Sequence, residues 1–183
     1  MDQVFSPGMR IILVIAIQIT DRKFFMNSLL NGSSFDTFDL VEAAITTYCT
    51  FSIDGHFQAD FYDPDEAAQK KEAGLSLPVF SSWKDIRPVC FSLIKGRHTP
   101  KSFQFVLQAD TEWAQELASK VLSASNAVHL KGLYLTVRFD GTSMNCITGI
   151  SFDTFVPDKS LDTLWDSTAQ TFLSSLNIGF ELS

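Results

Sequence analysis

Residues 40–57 constrain the fold more than any other stretch. From Leu40 to Phe57 the chain alternates, with Val41, Ala43, Ile45, Thr47, Cys49, Phe51 and Ile53 on one side. Glu42, Thr46, Thr50, Ser52 and Asp54 fall on the other. Period two belongs to a strand with one dry and one wet face, the usual pattern of an antiparallel sheet. The run is too long for one ordinary strand, so a bulge, a bend or a concealed hairpin is expected near its middle.

A half-dry sheet needs a cover, and the chain has material for one. Of its 183 residues 45% are hydrophobic and 17 are phenylalanine, which rules out a disordered or disulfide-dependent chain. Arg10 leads into an apolar run, Ile11 to Ile17, read as a buried strand. That run is far below the roughly 20 residues that cross a bilayer, and Gln18-Ile19-Thr20-Asp21 after it is no cleavage site. No membrane association is expected. Residues 1–8 read as an N-terminal extension and residues 9–183 as one globular domain.

Helix signals alternate with further strands. Thr20 or Asp21 can cap a helix carrying Phe24, Phe25 and Leu29 and stopping at Asn31-Gly32. Asp63, Pro64 and Glu66 open a second helix that Gly74 ends, and its body is polar all round. Ser81-Ser82 cap a third, with Trp83, Ile86, Cys90, Leu93 and Ile94 at helical spacing. Pro88 is expected to kink or restart it. Phe103, Phe105, Leu107 and Ala109 alternate as a strand, and Asp110 caps a helix with Trp113, Leu117 and Val121 on one side. Leu133 to Phe139 and Met144 to Phe152 form strands around Asp140-Gly141. A two-residue turn there pairs Val137 with Met144 and Leu135 with Cys146. A final helix from Asp158 or Ser160 carries Leu161, Leu164, Trp165, Thr168, Phe172 and Leu176. The expected class is α+β: a mixed, mainly antiparallel sheet with helices packed on one face, each half running strand, helix, hairpin, helix.

Charge restricts the partners. The chain carries −7, which opposes broad nucleic-acid binding but leaves room for a local basic site. Residues 84–101 hold Lys84, Arg87, Lys95, Arg97 and Lys101 against Asp85, a local +4 that leaves −11 on the remainder. Within them Lys95, Arg97 and His98 surround Gly96 in a loop, supplying the donors that an oxyanion site uses. The same cations also suit a helix C-terminus, where the dipole is negative. Cys49, Cys90 and Cys146 are odd in number and lie in apolar stretches, so three buried free thiols and a reducing compartment are expected.

A second candidate is Asp54-Gly55-His56. On a regular strand Asp54 and His56 share a face, as an acid–base pair would, and Asp60 or Asp63 could add a metal ligand. The plainer reading is a solvated Asp-Gly turn with no metal bound. His129 has no evident partner. No nucleotide loop, nucleophile elbow or cofactor signature is present, so no cofactor is expected.

The runs FDLVEAAITTYCTFSIDGHF, SSWKDIRPVCFSLIKGRHTPKSFQF and LTVRFDG through ITGISF resemble a small uncharacterised family of Clostridia-type anaerobic bacteria. The resemblance covers residues 9–177 and implies a bacterial, cytoplasmic protein with no assigned activity. The strand–helix–hairpin order is also similar to half-units of DNA sliding clamps. Clamps line their inner face with basic helices, whereas residues 111–122 and 159–176 carry one lysine each. The expected function is a non-catalytic binding or regulatory module for an anionic small molecule or protein partner, reached through residues 84–101. The alternatives are a small hydrolase-like or metal-assisted enzyme using Asp54 and His56, and a structural subunit of a larger assembly.

Overall fold

The computed structural model describes residues 12–61 and 78–182. The segments read from sequence as an extension (residues 1–8) and a polar helix (residues 63–74) lie outside the described residues. Eight strands form one sheet: β1 (Ile12–Ile19), β2 (Phe38–Thr46), β3 (Thr50–Asp54), β4 (Ser81–Ser82), β5 (Ser102–Ala109), β6 (Leu130–Phe139), β7 (Met144–Phe152) and β8 (Phe180–Leu182). Their order is β3-β2-β5-β6-β7-β1-β8, with β4 beside β2 beyond the end of β3, and every pairing is antiparallel. The described helices are α1 (Arg22–Leu30), α2 (Trp83–Ile94), α3 (Thr111–Val121), the short α4 (Ala124–Ala127) and α5 (Ser160–Ser175). The α+β class read from sequence is the observed one.

The pleat decides which face the helices cover. Phe103, Phe105 and Leu107 of β5, Leu133, Leu135 and Val137 of β6, and Met144, Cys146 and Ile150 of β7 are buried on one side. Phe25 and Leu29 of α1, Trp83 and Cys90 of α2, Leu117 of α3, and Leu161, Trp165 and Leu173 of α5 join them in the same core. The core stripe of α5 is centred on Leu161, Trp165, Ala169 and Leu173, while Leu164, Phe172 and Leu176 pack as its flank. Indole N–H groups pin two contacts: Trp83 Nε1 donates to Leu29 O at 3.0 Å and Trp165 Nε1 to Tyr134 O at 2.9 Å. A smaller cluster of Val41, Phe80, Val106 and Tyr134 lies on the other side.

The alternating run at 40–57 contains both a bulge and a hairpin. The β2–β5 register shifts between Leu40 and Glu42, and the chain turns at 47–49 to pair β3 with β2. The turn breaks the alternation, so Cys49 is exposed instead of buried, while Cys90 and Cys146 are buried as expected. Burial pushes the Cys90 thiol up to about 12, and the Cys146 thiol also upward.

Three further expectations are corrected. The Asp140-Gly141 hairpin pairs Phe139 with Met144 and Val137 with Cys146, so residues 140–143 form a four-residue loop. The shift of two residues leaves the same side chains in the core, which is why the sequence pattern could not detect it. The second correction concerns α2, which does not restart at Pro88 but continues through it as one helix. Pro88 and Lys84 are both exposed, so water can meet the Lys84 carbonyl that the proline leaves free. Finally, Asp54-Gly55 is not a turn. Gly55 is buried where β3 leaves the edge, its N–H bonds to Val41 O at 2.9 Å, and a Cβ there would sit 1.8 Å from Leu40 O.

Two outcomes check this packing. Gly55→Ala should cost roughly 3 kcal/mol in urea denaturation, the upper range for overpacking against an unyielding backbone. Gly96→Ala, with nothing near its Cβ position, should leave the midpoint unchanged. Thiol titration of the native protein should give one fast-reacting group, Cys49, and release Cys90 and Cys146 only on unfolding.

Candidate functional site

Strand direction sorts the charged residues between the two ends of the sheet. One end holds the 47–49 hairpin tip, the loop from α2 to β5, the 140–143 loop and the start of α1. Short contacts tie these pieces together. The Lys101 N–H donates to Thr46 O at 2.8 Å, a Cβ on Gly141 would lie 3.0 Å from Lys101 O, and Arg22 Nη1 donates to Thr142 O at 2.7 Å.

Lys95, Arg97, His98 and Lys101 are exposed at this end, joined by Arg22 and Lys23. Among the described residues Lys95, Arg97, His98 and Lys101 make no ion pair, although Lys95 Nζ sits 5.8 Å from the centroid of the Phe91 ring. Two nearby acids are occupied by backbone. The Asp21 carboxylate accepts from Phe24 N at 3.0 Å as the cap of α1. Asp140 accepts from the Ser143 and Thr142 N–H groups and from both hydroxyls, bonds that hold its carboxyl far below the usual carboxylate range. Tyr48, 91% exposed at the hairpin tip, has its ring braced edge-on by Phe51 at 5.9 Å.

The basic stretch 84–101 is therefore not one patch. Lys84 and Arg87 lie in the first half of α2, about 16 and 12 Å of helix away from Lys95. Arg87 Nη1 donates to Gly32 O and the Asp36 carboxylate, a partly buried tie between α2 and the loop after α1. It is a structural residue. Lys95, Arg97 and His98 remain together as the sequence grouped them.

The opposite end carries the second candidate. Asp54 Oδ1 lies 2.6 Å from His56 Nδ1 and also accepts from the His56 N–H at 3.0 Å. That backbone bond, then the side-chain bond, lowers the Asp54 carboxyl below its ordinary value. The imidazole rests against Phe80, centroids 4.8 Å apart. Across the strand pair Glu42 faces Asp54, and burial first, then the Asp54 charge, raises its carboxyl. Asp60 is exposed in a turn of 3-10 helix at Ala59–Phe61, and Asp63 lies outside the described residues. No group of three or more metal-ligating side chains occurs among the described residues. An exposed pair such as Asp54 and His56 contributes little stability but can hold an imidazole in one orientation.

His129, read as partnerless, has a partner. Its Nδ1 is 2.7 Å from Asp153 Oδ1, and Lys131 Nζ reaches Asp153 Oδ2 at 3.1 Å. The pair closes the β6–β7 ladder, where Asp153 N also bonds His129 O. Sequence separation of 24 residues concealed it, and the corrected hairpin register together with the irregularity between Leu130 and Gly132 brings the two together.

A family model, described as a family of unknown function (DUF5721), matches residues 28–181. The chain belongs to the DUF5721 family. The match takes in α1 from Ser28 onward, Asp54, His56, Lys95, Arg97, His98 and Lys101, and most of β8, but not Arg22 or Lys23. No curated protein and no solved structure matches the chain. Among the described residues no helix is long and apolar enough to cross a membrane.

The Asp54–His56 contact has a titration signature. Its share of stability is present above the ordinary aspartate value of about 3.9 and is lost as pH falls through the lower folded-state value. In a carbon-detected NMR titration, His56→Ala should move the Asp54 midpoint upward only part of the way, because the residue-56 N–H still donates. A full return to the ordinary value would mean that the backbone bond is not made.

Proposed function

We propose that this DUF5721 protein is a non-catalytic binding module that meets an anionic partner through Lys95, Arg97 and His98, with Lys101 and Arg22 beside them. The resemblance noted above supports a bacterial, cytoplasmic setting. One observation carries the reading. In a chain with 21 acids and 14 bases, these cations are exposed at one end of the sheet and make no ion pair among the described residues. Stability alone gives no reason to gather them, because like charges brought together repel. A helix C-terminus accounts for Lys95, but not for Arg22 and Lys23, which stand at the unfavourable N-terminal end of α1.

Calorimetry with phosphate, sulfate and inorganic polyphosphate tests the proposal. The wild type should bind polyphosphate saturably and more weakly as salt rises, and Arg97→Ala should lose roughly tenfold or more in affinity. Absence of saturable binding to all three would leave the cations with a structural role only.

The 2.6 Å contact between Asp54 and His56 favours a second reading, a hydrolase-like site in which Asp54 orients His56 for proton transfer. It predicts ester or phosphoester cleavage that Asp54→Asn and His56→Ala each reduce by at least about a hundredfold. Equal turnover by wild type and both variants would sink it.

A further inference from the structure

The sheet ends on one side in β3, and the ladder shows which of its main-chain groups are unused. At one end of the β2–β3 pair the Thr47 N–H donates to Cys49 O at 2.9 Å, and at the other the Gly55 N–H donates to Val41 O at 2.9 Å. Both bonds fit the one register that pairs Thr46 with Thr50 and Glu42 with Asp54. Hydrogen-bonded pairs alternate along an antiparallel ladder, so Phe51 and Ile53, like Cys49 and Gly55, bond inward to β2. Thr50, Ser52 and Asp54 therefore turn their N–H and C=O groups outward. Among the described residues nothing pairs with those groups, and β2 is the one strand beside β3. All three residues are exposed, while Phe51 and Ile53, on the face of the core residues Ile45 and Ala43, are only half-buried. β3 carries no proline, lysine or bulge of the kind that guards an edge, whereas the far edge, β8, is only 3 residues long.

We propose that β3 is the contact edge of a two-fold dimer, in which a second copy of this chain adds its own β3 antiparallel to the first. One register uses every outward-facing group: Ser52 against Ser52, and Thr50 of each copy against Asp54 of the other. It also sets Phe51 against Ile53 on the helix side, apolar against apolar. A slip of two residues either way leaves one outward-facing residue of each copy without a partner. Strand polarity makes the pairing complementary in charge as well. β3 begins at the end that carries Lys95, Arg97 and Lys101, because Thr50 pairs with Thr46 and Thr46 O accepts from the Lys101 N–H. It finishes at Asp54, which faces Glu42, with the exposed Asp60 beyond. An antiparallel copy therefore lays the acidic end of each molecule beside the basic end of the other, which favours a second copy over an unrelated extended segment. The inference goes beyond the anion-binding reading and does not depend on it, since it uses these charges without a bound ligand.

Analytical ultracentrifugation of the full chain across a dilution series tests the edge. The wild type should form a dimer whose fraction rises with concentration and falls as salt is added. Ser52→Pro removes an outward N–H and no bond to β2, so the variant should melt like wild type while its dimer weakens by about tenfold or more. Oxidative cross-linking reads the register. In a Cys49→Ser background, Ser52→Cys should give a covalent dimer, because the two Cα atoms of a hydrogen-bonded pair lie about 5.5 Å apart, within disulfide reach. Thr50→Cys in the same background should not, since its counterpart lies four residues along the partner strand, about 14 Å away. A chain that stays monomeric at every concentration overturns the proposal, and so does a dimer that Ser52→Pro leaves intact. Cross-linking through Thr50→Cys as readily as through Ser52→Cys overturns the β3 pairing.

Discussion

Burial on one side of β5, β6 and β7 is the constraint from which the remaining structure follows. Phe103, Phe105, Leu107, Leu133, Leu135, Val137, Met144 and Cys146 form an apolar surface that no flat sheet could leave in water. Each such side chain favours burial by about 1.5–3 kcal/mol, and α1, α2, α3 and α5 meet that surface with their own apolar stripes. Docking brings two indole N–H groups into the dry layer. Unpaired, each would carry a desolvation penalty of about 1–3 kcal/mol. Trp83 and Trp165 avoid it by donating to the Leu29 and Tyr134 carbonyls, which also fixes where α2 and α5 sit.

Because the helices take one face, function has two places left, the other face and the ends. Antiparallel strands place alternate connections at the same end, so residues distant in sequence gather there. The loop after α2, the β2–β3 tip, the β6–β7 loop and the start of α1 are joined by the Lys101 N–H on Thr46 O, the close approach of Gly141 to Lys101 O and the Arg22 side chain on Thr142 O. Among the described residues the cations there make no ion pair, and the Asp21 and Asp140 carboxylates accept hydrogen bonds from backbone N–H groups of their own segments. The arrangement follows from topology together with capping chemistry, and neither is visible in the composition.

Periodicity made the class, the order of elements and most of the core legible. Leu135, Val137, Met144 and Cys146 were placed inward correctly although their partners were wrong, because a register shift of two preserves the face. Cys49 was misplaced because alternation says nothing about where a strand turns. Gly55 was read as a turn residue because Asp-Gly usually is one, when the reason for glycine is the Leu40 carbonyl against which it packs. The partner of His129 was hidden by sequence distance. β8, only three residues long, carries too little pattern to detect. The Asp54–His56 contact was legible because a strand places i and i+2 side by side, and Lys95, Arg97 and His98 because they are adjacent in sequence.

The same contrast separates the two candidate sites on physical grounds. Asp54 and His56 are satisfied by each other: the carboxylate accepts twice from one residue, and the ring has an apolar backing in Phe80. A pair of that kind is self-sufficient, and its geometry is accounted for without a ligand. Lys95, Arg97 and Lys101 are the reverse, since each carries a full charge that nothing among the described residues neutralises. An anion meeting them would make its contacts without first breaking an ion pair among the described residues. An exposed carboxylate–imidazole pair is not free in that way. That difference, more than the number of donors, is why the cationic end is the stronger candidate.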